Sequence, residues 1–563
     1  MSAANGVFFD DEEQELVQRE TTEIDTLQVP VLIVGGALVG LSMSLFLSWQ
    51  GVPSLLVEKH PEPARLPRAR GYNARTMELF RVLGLEEAIR AAQWPIAANE
   101  GMVRVESLAG REIMRLDEDG QADLSAFSPT VACVIGQQQL EPILLDAAKK
   151  IGSDVRFNNQ MISFEQGEAG VSAVIRECVT GREWHVRAHY LIAADGAHSS
   201  IRDALGLNTQ GPGTISYSTN VSFEADLREA LRGRRIFLYY VSNPHLPDGQ
   251  AGLMADDNER RWFFGTPIHP ERGERREDMT DERCIELIRI AVGIPDLEVK
   301  ILPAYPWDPI KVGVWELAAR YAESNRRGRV FLAGDSAHTM LPSGGLGAGT
   351  GIQDAFNLAW KLALVLAGKA GAALLDSYEE ERSPVGKLTV EQTLQRQFYR
   401  TGTAESTLIG NADLIFGFRY RSAAIIGEPG AAEAPLTQHP STLCGEPGTR
   451  APHIILERDG LQISTIDLCR GRWTLLVGDQ GTLWNAAAHR VSKRLELPLS
   501  VYAIGGVNGL KDVEGRWDAA YGVGVTGAVL VRPDGFVAWR TSTADEHSEL
   551  ALEKALARML ALC

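Results

Sequence analysis

The chain has 563 residues, a formal net charge of −17 and 45% hydrophobic residues. This length is too great for a single core and predicts two or three domains of ordinary globular composition. The acidic balance argues against a general surface for nucleic acid or anionic membranes, because binding to either requires clustered Lys and Arg.

The first 28 residues are expected to form an acidic, flexible leader. Eight acidic residues lie between Asp10 and Asp25, where the single basic residue is Arg19. The segment has neither the basic start and apolar core of a signal peptide nor the Arg-rich character of a transit peptide. No later stretch has the length and apolarity of a membrane span. We therefore expect a soluble, cytoplasmic protein with no membrane partner.

A strand, a glycine-rich turn and a helix follow the leader. The apolar run "VPVLIV" predicts a buried parallel strand, "IVGGALVG" the turn and "LVGLSMSLFLSWQG" an amphipathic helix. Dinucleotide loops usually read G-x-G-x-x-G, and here Gly35 and Gly40 flank Ala37 at the middle position. The next strand, "SLLVE", ends in Glu58, where an acid can bind a ribose diol. The alternative is a plain strand-turn-helix unit without a ligand.

A second glycine-rich loop lies in "GRVFLAGDSAHTMLPSGGLGAGTGIQDAFNLAWKLALVL", residues 328 to 366. The run "RVFLAGD" predicts a strand that leads to Asp335. After Pro342 the glycines open a helix whose apolar face carries Ala355, Leu358 and Leu362. The start of such a helix offers unpaired N–H groups and the positive end of a dipole to an electron-rich ligand.

The segment "GDSAHTMLPSGGLGAGTG" resembles the signature G-D-x-x-H-x-x-x-P-x-G-G-x-G of the group A flavoprotein monooxygenases. These FAD-dependent aromatic hydroxylases include para-hydroxybenzoate and phenol hydroxylases. Three further segments resemble family motifs and occur in the family's order: "ARLPRARGYNARTMELFRVLGL", "IGQQQLEPIL" and "YLIAADGAHSSIR". The resemblance implies an α/β multidomain fold with a Rossmann-like FAD-binding domain, an antiparallel-sheet substrate domain and a C-terminal thioredoxin-like domain.

The resemblance also implies roles for individual residues. Glu58 would bind the adenosine ribose of FAD, Asp335 a ribityl hydroxyl, and Asp195 carries the D-G motif. Arg68 or Arg70 would lie near the pyrophosphate, and Gln137 near the ribityl chain. The flavin ring and the face on which oxygen reacts would be bordered by Pro342, Gly344, Gly345, Leu346 and Gly347. Two positions depart from the family pattern, since Gly349 stands where many members have Asn and Ala193 where many have Gly.

Residues 205 to 315 contain short runs rich in aromatic residues, which predict an antiparallel sheet. In the family this sheet covers the flavin and lines the substrate pocket. The candidates for stacking on an aromatic substrate are Tyr239, Tyr240, Trp262, Phe264 and Trp307. The alternative for each of them is packing in the core of the sheet.

The end of the chain reads as a linker, residues 425 to 452, and a compact unit, residues 453 to 563. This unit has strand-like runs with a hairpin turn at Pro533, Asp534 and Gly535, and it resembles the thioredoxin-like domain of phenol and polyketide hydroxylases. The unit contains no C-x-x-C pair, so we expect packing or homodimer contacts rather than dithiol chemistry. No metal site is predicted, because His185 and His189 would share a strand face without a third ligand.

The complete prediction is an FAD-binding domain of residues 29 to 204 and 316 to 424, interrupted by the substrate domain. The resemblance implies that NAD(P)H, with NADPH favoured, reduces FAD, and that a flavin C4a-hydroperoxide then hydroxylates a phenolic or polycyclic polyketide-type aromatic. The substrate-activating base is not identified. Two alternatives are Baeyer–Villiger oxygenation on the same scaffold and a non-catalytic flavin-binding protein. The W-x-W-x-I-P segment of flavin-dependent halogenases is not found.

Overall fold

The computed structural model describes residues 26–63, 68–93, 101–116, 124–255, 260–303, 311–402, 407–506 and 509–562. Most of the expected leader and Trp307 lie outside these ranges. The α-helices are α1 (Leu38–Trp49), α2 (Ala74–Val82), α3 (Glu86–Ala91), α4 (Gln137–Lys150), α5 (Ser200–Ala204), α6 (Arg228–Leu231), α7 (Asp281–Val292), α8 (Gly347–Leu366), α9 (Asp376–Thr401), α10 (Asn411–Phe416), α11 (Thr465–Leu468), α12 (Thr482–Leu495), α13 (Trp517–Tyr521) and α14 (Ser548–Met559).

Within the described ranges, the β-strands form four sheets. They are β1 (Thr26–Val34), β2 (Ser54–Val57), β3 (Met102–Val105), β4 (Glu112–Leu116), β5 (Asp154–Arg156), β6 (Asn159–Gly167), β7 (Gly170–Glu177), β8 (Glu183–Ala193), β9 (Thr209–Glu224), β10 (Leu238–Ser242), β11 (Gln250–Ala255), β12 (Arg261–Gly265), β13 (Pro267–Ile268), β14 (Lys300–Leu302), β15 (Val312–Ala322), β16 (Arg326–Arg327), β17 (Val330–Leu332), β18 (His338–Thr339), β19 (Ile455–Arg458), β20 (Leu461–Ser464), β21 (Trp473–Gly478), β22 (Leu499–Ile504), β23 (Lys511–Asp512), β24 (Ala528–Val531) and β25 (Val537–Thr541).

The first sheet has a parallel centre in the order β17-β8-β1-β2-β5, with the antiparallel hairpin β6–β7 attached to β8. Helices α1, α4 and α8 cover one face, and their apolar side chains form one core with those of β1. Both faces of β2 are buried, as its unbroken apolar sequence predicts. This arrangement is the Rossmann-like domain that the motifs predicted.

The second sheet has the order β18-β15-β9-β12-β11-β10-β3-β4 and is mainly antiparallel. Helix α7 covers one of its faces, where Cys284, Leu287 and Ile288 join the core of the sheet. The sheet is larger than residues 205 to 315. Strands β3 and β4 come from the part of the chain that was predicted to belong to the FAD-binding domain, and β3 pairs in parallel with β10.

The C-terminal domain contains a four-stranded sheet in the order β22-β21-β24-β25. Strands β21 and β22 are parallel and joined by α12, whereas β24 and β25 form an antiparallel hairpin that precedes α14. This order is thioredoxin-like, as predicted. The predicted linker, residues 425 to 452, packs against this domain. The amide of Ile426 donates to the carbonyl of Ala538, and Arg450 forms a β-bridge with Phe536.

Candidate active site

Four sequence motifs meet at one edge of the first sheet. The Gly35–Ala37 turn follows β1, Glu58 follows β2, Asp195 follows β8 and Asp335 follows β17. These strands are neighbours in the sheet and run in parallel, so their carboxyl ends open on the same side. Ligands of open α/β sheets bind at this edge. The fold therefore brings together residues that are up to 300 positions apart in the chain, from Gly35 to Asp335.

The first turn has the geometry that a dinucleotide loop requires. Gly35 has φ +109°, and a Cβ atom there would lie 2.2 Å from the carbonyl oxygen of Ala194, so only glycine fits. Ala37 precedes α1 with φ −87° and ψ −169°, a conformation that alanine adopts without strain. The absent middle glycine thus creates no backbone strain at this turn.

Glu58 is held by the turn itself. The amide of Gly36 donates to Glu58 Oε2 over 2.6 Å, and His60 contacts Oε1 through its amide at 2.9 Å and its Nδ1 at 2.5 Å. Burial opposes ionisation of Glu58, but the hydrogen bonds from His60 and Gly36 lower its pKa overall. The carboxylate is therefore ionised and oriented as an acceptor beside the turn. His60 was not among the residues predicted from the sequence, because it has no role in the predicted motif.

Asp195 and Asp335 carry unused acceptor capacity. Asp195 Oδ1 is buried without a hydrogen-bond partner, while Oδ2 accepts from the Ile201 amide. The residue Asp335 is exposed at the strand edge, yet surrounding protein desolvates its carboxylate and raises its pKa, an effect that the charges of His338 and Arg68 oppose. Buried polar atoms are normally paired. Two open carboxylates at one edge therefore fit a ligand with hydroxyl donors, such as the ribityl chain of FAD.

The structure separates the two candidate arginines. Arg68 is exposed, and its charge acts on Asp335. Arg70 is buried and turns to the second sheet, where it donates to the carbonyl of Ala255 and lies 4.8 Å from the centre of the Phe263 ring. Arg68 is therefore the better candidate for the pyrophosphate.

Gln137 is satisfied within the protein, since its side chain accepts from the Ala69 amide and donates to Glu141. It fastens the arginine segment to the start of α4. The neighbouring Gln138 has a buried Oε1 without a hydrogen-bond partner, which makes it a further candidate for a ligand contact that the sequence did not single out.

The second glycine loop leads directly into α8. Pro342 and Gly345 are exposed, and the Gly345 amide donates to the carbonyl of Pro342, so this amide is used within the turn. Gly344 and Gly345 both have positive φ. A Cβ atom on Gly345 would meet no atom within 4 Å, which leaves open space beside the loop. Leu346 and Gly347 begin the helix, whose first amides have no acceptor within the helix.

The aromatic candidates divide between the two faces of the second sheet. Tyr239, Trp262 and Phe264 are almost completely buried in the core beneath α7. For these three the structure corresponds to the core-packing alternative. Tyr240 points to the opposite face, where Arg400 of α9 donates to its hydroxyl over 3.3 Å. Phe263, which was not among the predicted candidates, lies on that same face with Trp315, and the centres of the two rings are 6.0 Å apart.

The face that carries Tyr240 is turned to the FAD-binding domain. Arg70 contacts it from the motif segment, and Arg104 of β3 donates to the carbonyls of Tyr399 and Arg400 in α9. Asn220 of β9 shares this face, because its neighbours in the strand, Val221 and Phe223, lie in the α7 core. Both polar atoms of the Asn220 side chain are buried without a hydrogen-bond partner.

Two other features of the described residues bear on function. They include no cluster of three or more His, Cys, Asp or Glu side chains with the geometry of a metal site. Among the helices given above, none combines the length and the apolarity that crossing a membrane requires.

Two family models match different parts of this chain. A model described as "FAD binding domain" matches residues 28–393, and one described as "Aromatic-ring hydroxylase, C-terminal" matches residues 445–562. The chain is 42% identical to 4-methyl-5-nitrocatechol 5-monooxygenase from Burkholderia sp, with 95% of this chain and 98% of that protein aligned. It is 41% identical to tetracenomycin A2 monooxygenase-dioxygenase from Streptomyces glaucescens, with 96% and 98% aligned.

Solved structures of flavin-dependent enzymes are also similar to this chain in sequence and in fold. A ternary complex of aklavinone-11 hydroxylase with FAD and aklavinone is 38% identical, with a TM-score of 0.87 over 95% of this chain and 99% of that one. The flavin-dependent monooxygenase PieE in complex with FAD and substrate is 33% identical, with a TM-score of 0.84 over 95% and 100%. The predicted family is thereby confirmed: the chain belongs to the group A flavoprotein monooxygenases and is an FAD-dependent aromatic hydroxylase related to the polyketide hydroxylases.

Proposed function

We propose that this protein hydroxylates a phenolic, polycyclic polyketide-type aromatic, with NADPH as reductant and O₂ as the source of the inserted oxygen. The substrate class is inferred from the composition of one face of the second sheet, the face that bears Tyr240. It combines aromatic rings with guanidinium groups, which suits a flat ring system that bears an ionisable hydroxyl. The names of the relatives support the same class.

FAD is held, in this proposal, by the carboxyl edge of the first sheet. Glu58 binds the adenosine ribose, Arg68 the pyrophosphate, and Asp195 and Asp335 the remaining hydroxyls. The glycine loop from Gly344 to Gly347 borders the flavin ring with its backbone. Bound FAD supplies the redox chemistry that takes electrons from NADPH and activates O₂.

The substrate is held by the second sheet. Phe263 and Trp315 stack on the ring system and exclude water. The Arg400 guanidinium, bonded to the Tyr240 hydroxyl, stabilises a phenolate on the substrate, and the phenolate makes the ring carbon a better nucleophile. Asn220 supplies a donor and an acceptor to a carbonyl or hydroxyl of the substrate, which satisfies an amide that is otherwise buried without a partner.

The test begins with the purified, FAD-loaded protein. NADPH and NADH consumption are measured against a panel of simple phenols and anthraquinone-type polyketides, and the products formed under ¹⁸O₂ are analysed. We expect faster NADPH consumption with a polycyclic phenol and one labelled hydroxyl oxygen on the ring. A labelled ester oxygen would indicate Baeyer–Villiger oxygenation instead. Retention of FAD without consumption of either nucleotide would favour a non-catalytic flavin-binding protein.

A further inference from the structure

A buried ionic network connects the C-terminal domain to the helices of the FAD-binding domain. Arg532, in the turn between β24 and β25, donates to both carboxylate oxygens of Glu381 at 2.5 and 2.8 Å. Lys361 of α8 also donates to Glu381, at 2.8 Å, and the three side chains are wholly buried. Asp534 accepts from Asn357 of α8 at 3.1 Å. The turn of the C-terminal domain is therefore fixed to both α8 and α9.

The same two helices hold the turn that presents Asp335. Asp354 of α8 accepts from the amide of Gly334 at 3.0 Å and contacts His338 Nε2 at 2.7 Å, so one carboxylate oxygen binds both ends of this turn. Its other oxygen accepts from Arg382 of α9 at 2.7 Å. Burial opposes ionisation of Asp354, but the charges of His338 and Arg382 lower its pKa overall. Asp335 lies between Gly334 and His338, the two residues that Asp354 binds.

A second connection runs through Tyr420. Arg382 donates to the Tyr420 hydroxyl over 2.9 Å, and the Tyr420 ring stacks on Phe536 of the C-terminal domain with a centre distance of 3.9 Å. Along α8, Asp354, Asn357 and Lys361 follow at intervals of three and four residues and thus share one face of the helix.

The network is balanced in charge, which makes the removal of one member costly. Its acids are Asp354, Glu381 and Asp534, and its bases are Lys361, Arg382 and Arg532. Desolvation of two charges offsets most of the gain from pairing them, so such a network is a poor source of stability alone. It does impose a defined geometry, because each lost partner leaves an unpaired buried charge.

We propose that the C-terminal domain is a positioning element for FAD: Arg532 and Asp534 hold α8 and α9 in the one arrangement in which Asp354 and Arg382 fix the turn that presents Asp335. Asp354 is accordingly a positioning residue, which acts on the cofactor through the 334–338 turn. This inference requires FAD binding by the protein and does not depend on the identity of the substrate.

The test measures FAD affinity and release in three variants of the full chain. Asp354→Asn and Asp534→Asn keep the side-chain shapes and remove the charges. Val529→Ala, in a core formed by residues between Ala451 and Val537, is the control for lost stability without a change in the network. We expect both Asn variants to raise the FAD dissociation constant by at least about fivefold, a normal coupling between sites. The control should lower the melting temperature of the apoprotein and leave FAD affinity unchanged.

A double-mutant cycle distinguishes positioning from general destabilisation. If Asp534 acts through the turn that carries Asp335, Asp534→Asn should weaken FAD binding much less in an Asp335→Ala background than in the parent. Additive effects in the cycle, or an FAD affinity in folded Asp534→Asn equal to that of the parent, would overturn the proposal. The readout is FAD fluorescence, so a protein that binds FAD but hydroxylates no aromatic would refute the proposed function and leave this inference standing.

Discussion

Replacement of Asp335 by Ala is expected to weaken FAD binding strongly while leaving the apoprotein as stable as the parent. The carboxylate has no hydrogen-bond partner among the described residues and stands at the ligand edge of the first sheet. A hydrogen bond to a charged group contributes about 1.5–3 kcal/mol. Its loss corresponds to a rise of about 10- to 150-fold in the FAD dissociation constant.

The stability of the apoprotein should not fall when Asp335 is replaced by Ala. Desolvation raises the pKa of Asp335 in the folded chain, so its ionisation opposes folding as pH rises through that pKa. Removing the carboxylate should therefore leave the melting temperature of the apoprotein at pH 7 unchanged or slightly higher. A purely structural aspartate would lower it.

Fluorescence titration of the apoprotein with FAD, together with thermal unfolding of the apo form, checks both parts. Asp146→Ala is the control, because Asp146 is an exposed acid whose ion pair, within the described part of the chain, is with Lys150 on α4. An FAD dissociation constant within threefold of the parent in Asp335→Ala would refute the assignment of this residue. A loss of apoprotein stability would refute the argument from desolvation.

Three further predictions use single positions. Ala37→Gly should change the FAD dissociation constant by less than about threefold, because alanine is unstrained at φ −87°. An increase in FAD affinity above about tenfold would show instead that the methyl group of Ala37 obstructs the pyrophosphate. Tyr240→Phe should lower kcat/KM for the aromatic substrate, measured as substrate-dependent NADPH consumption. Tyr239→Phe should leave kcat/KM unchanged, because Tyr239 lies in the core under α7. Desolvation of the half-buried His453, together with the charge of Arg450, lowers its pKa to about 4. The stability that comes from its neutral form should therefore be lost as pH falls from about 6.5 to 4. His453→Asn should reduce the difference between the melting temperatures at pH 8 and pH 5.

Much of the proposed cofactor site could be predicted from the sequence, because its requirements are local. A turn that only glycine can adopt, an acid directly after a strand and a glycine run before a helix are all visible in short segments. The fold then placed Gly35, Glu58, Asp195 and Asp335 at the carboxyl ends of adjacent parallel strands. Even the departure at Ala37 is consistent with the backbone conformation of the turn.

The face of the second sheet that carries Tyr240, proposed to hold the substrate, was less predictable, since alternation along a strand defines two faces without indicating which one a helix covers. Trp262 and Phe264 turned out to lie under α7, and Phe263 between them faces the FAD-binding domain. Which face of the sheet is buried depends on where α7, a helix from another part of the chain, packs.

By itself the sequence therefore predicted the family and the cofactor, because the short motifs around its two glycine turns resemble those of the family. The tertiary structure showed that Arg70 turns to the second sheet whereas Arg68 is exposed, which aromatic rings lie under α7, and how the C-terminal domain contacts the FAD-binding domain. Arg532 and Glu381 are 151 residues apart, and nothing in either segment indicates the other. Such pairs are decided only when folding brings buried charges to the same place, where each requires a partner.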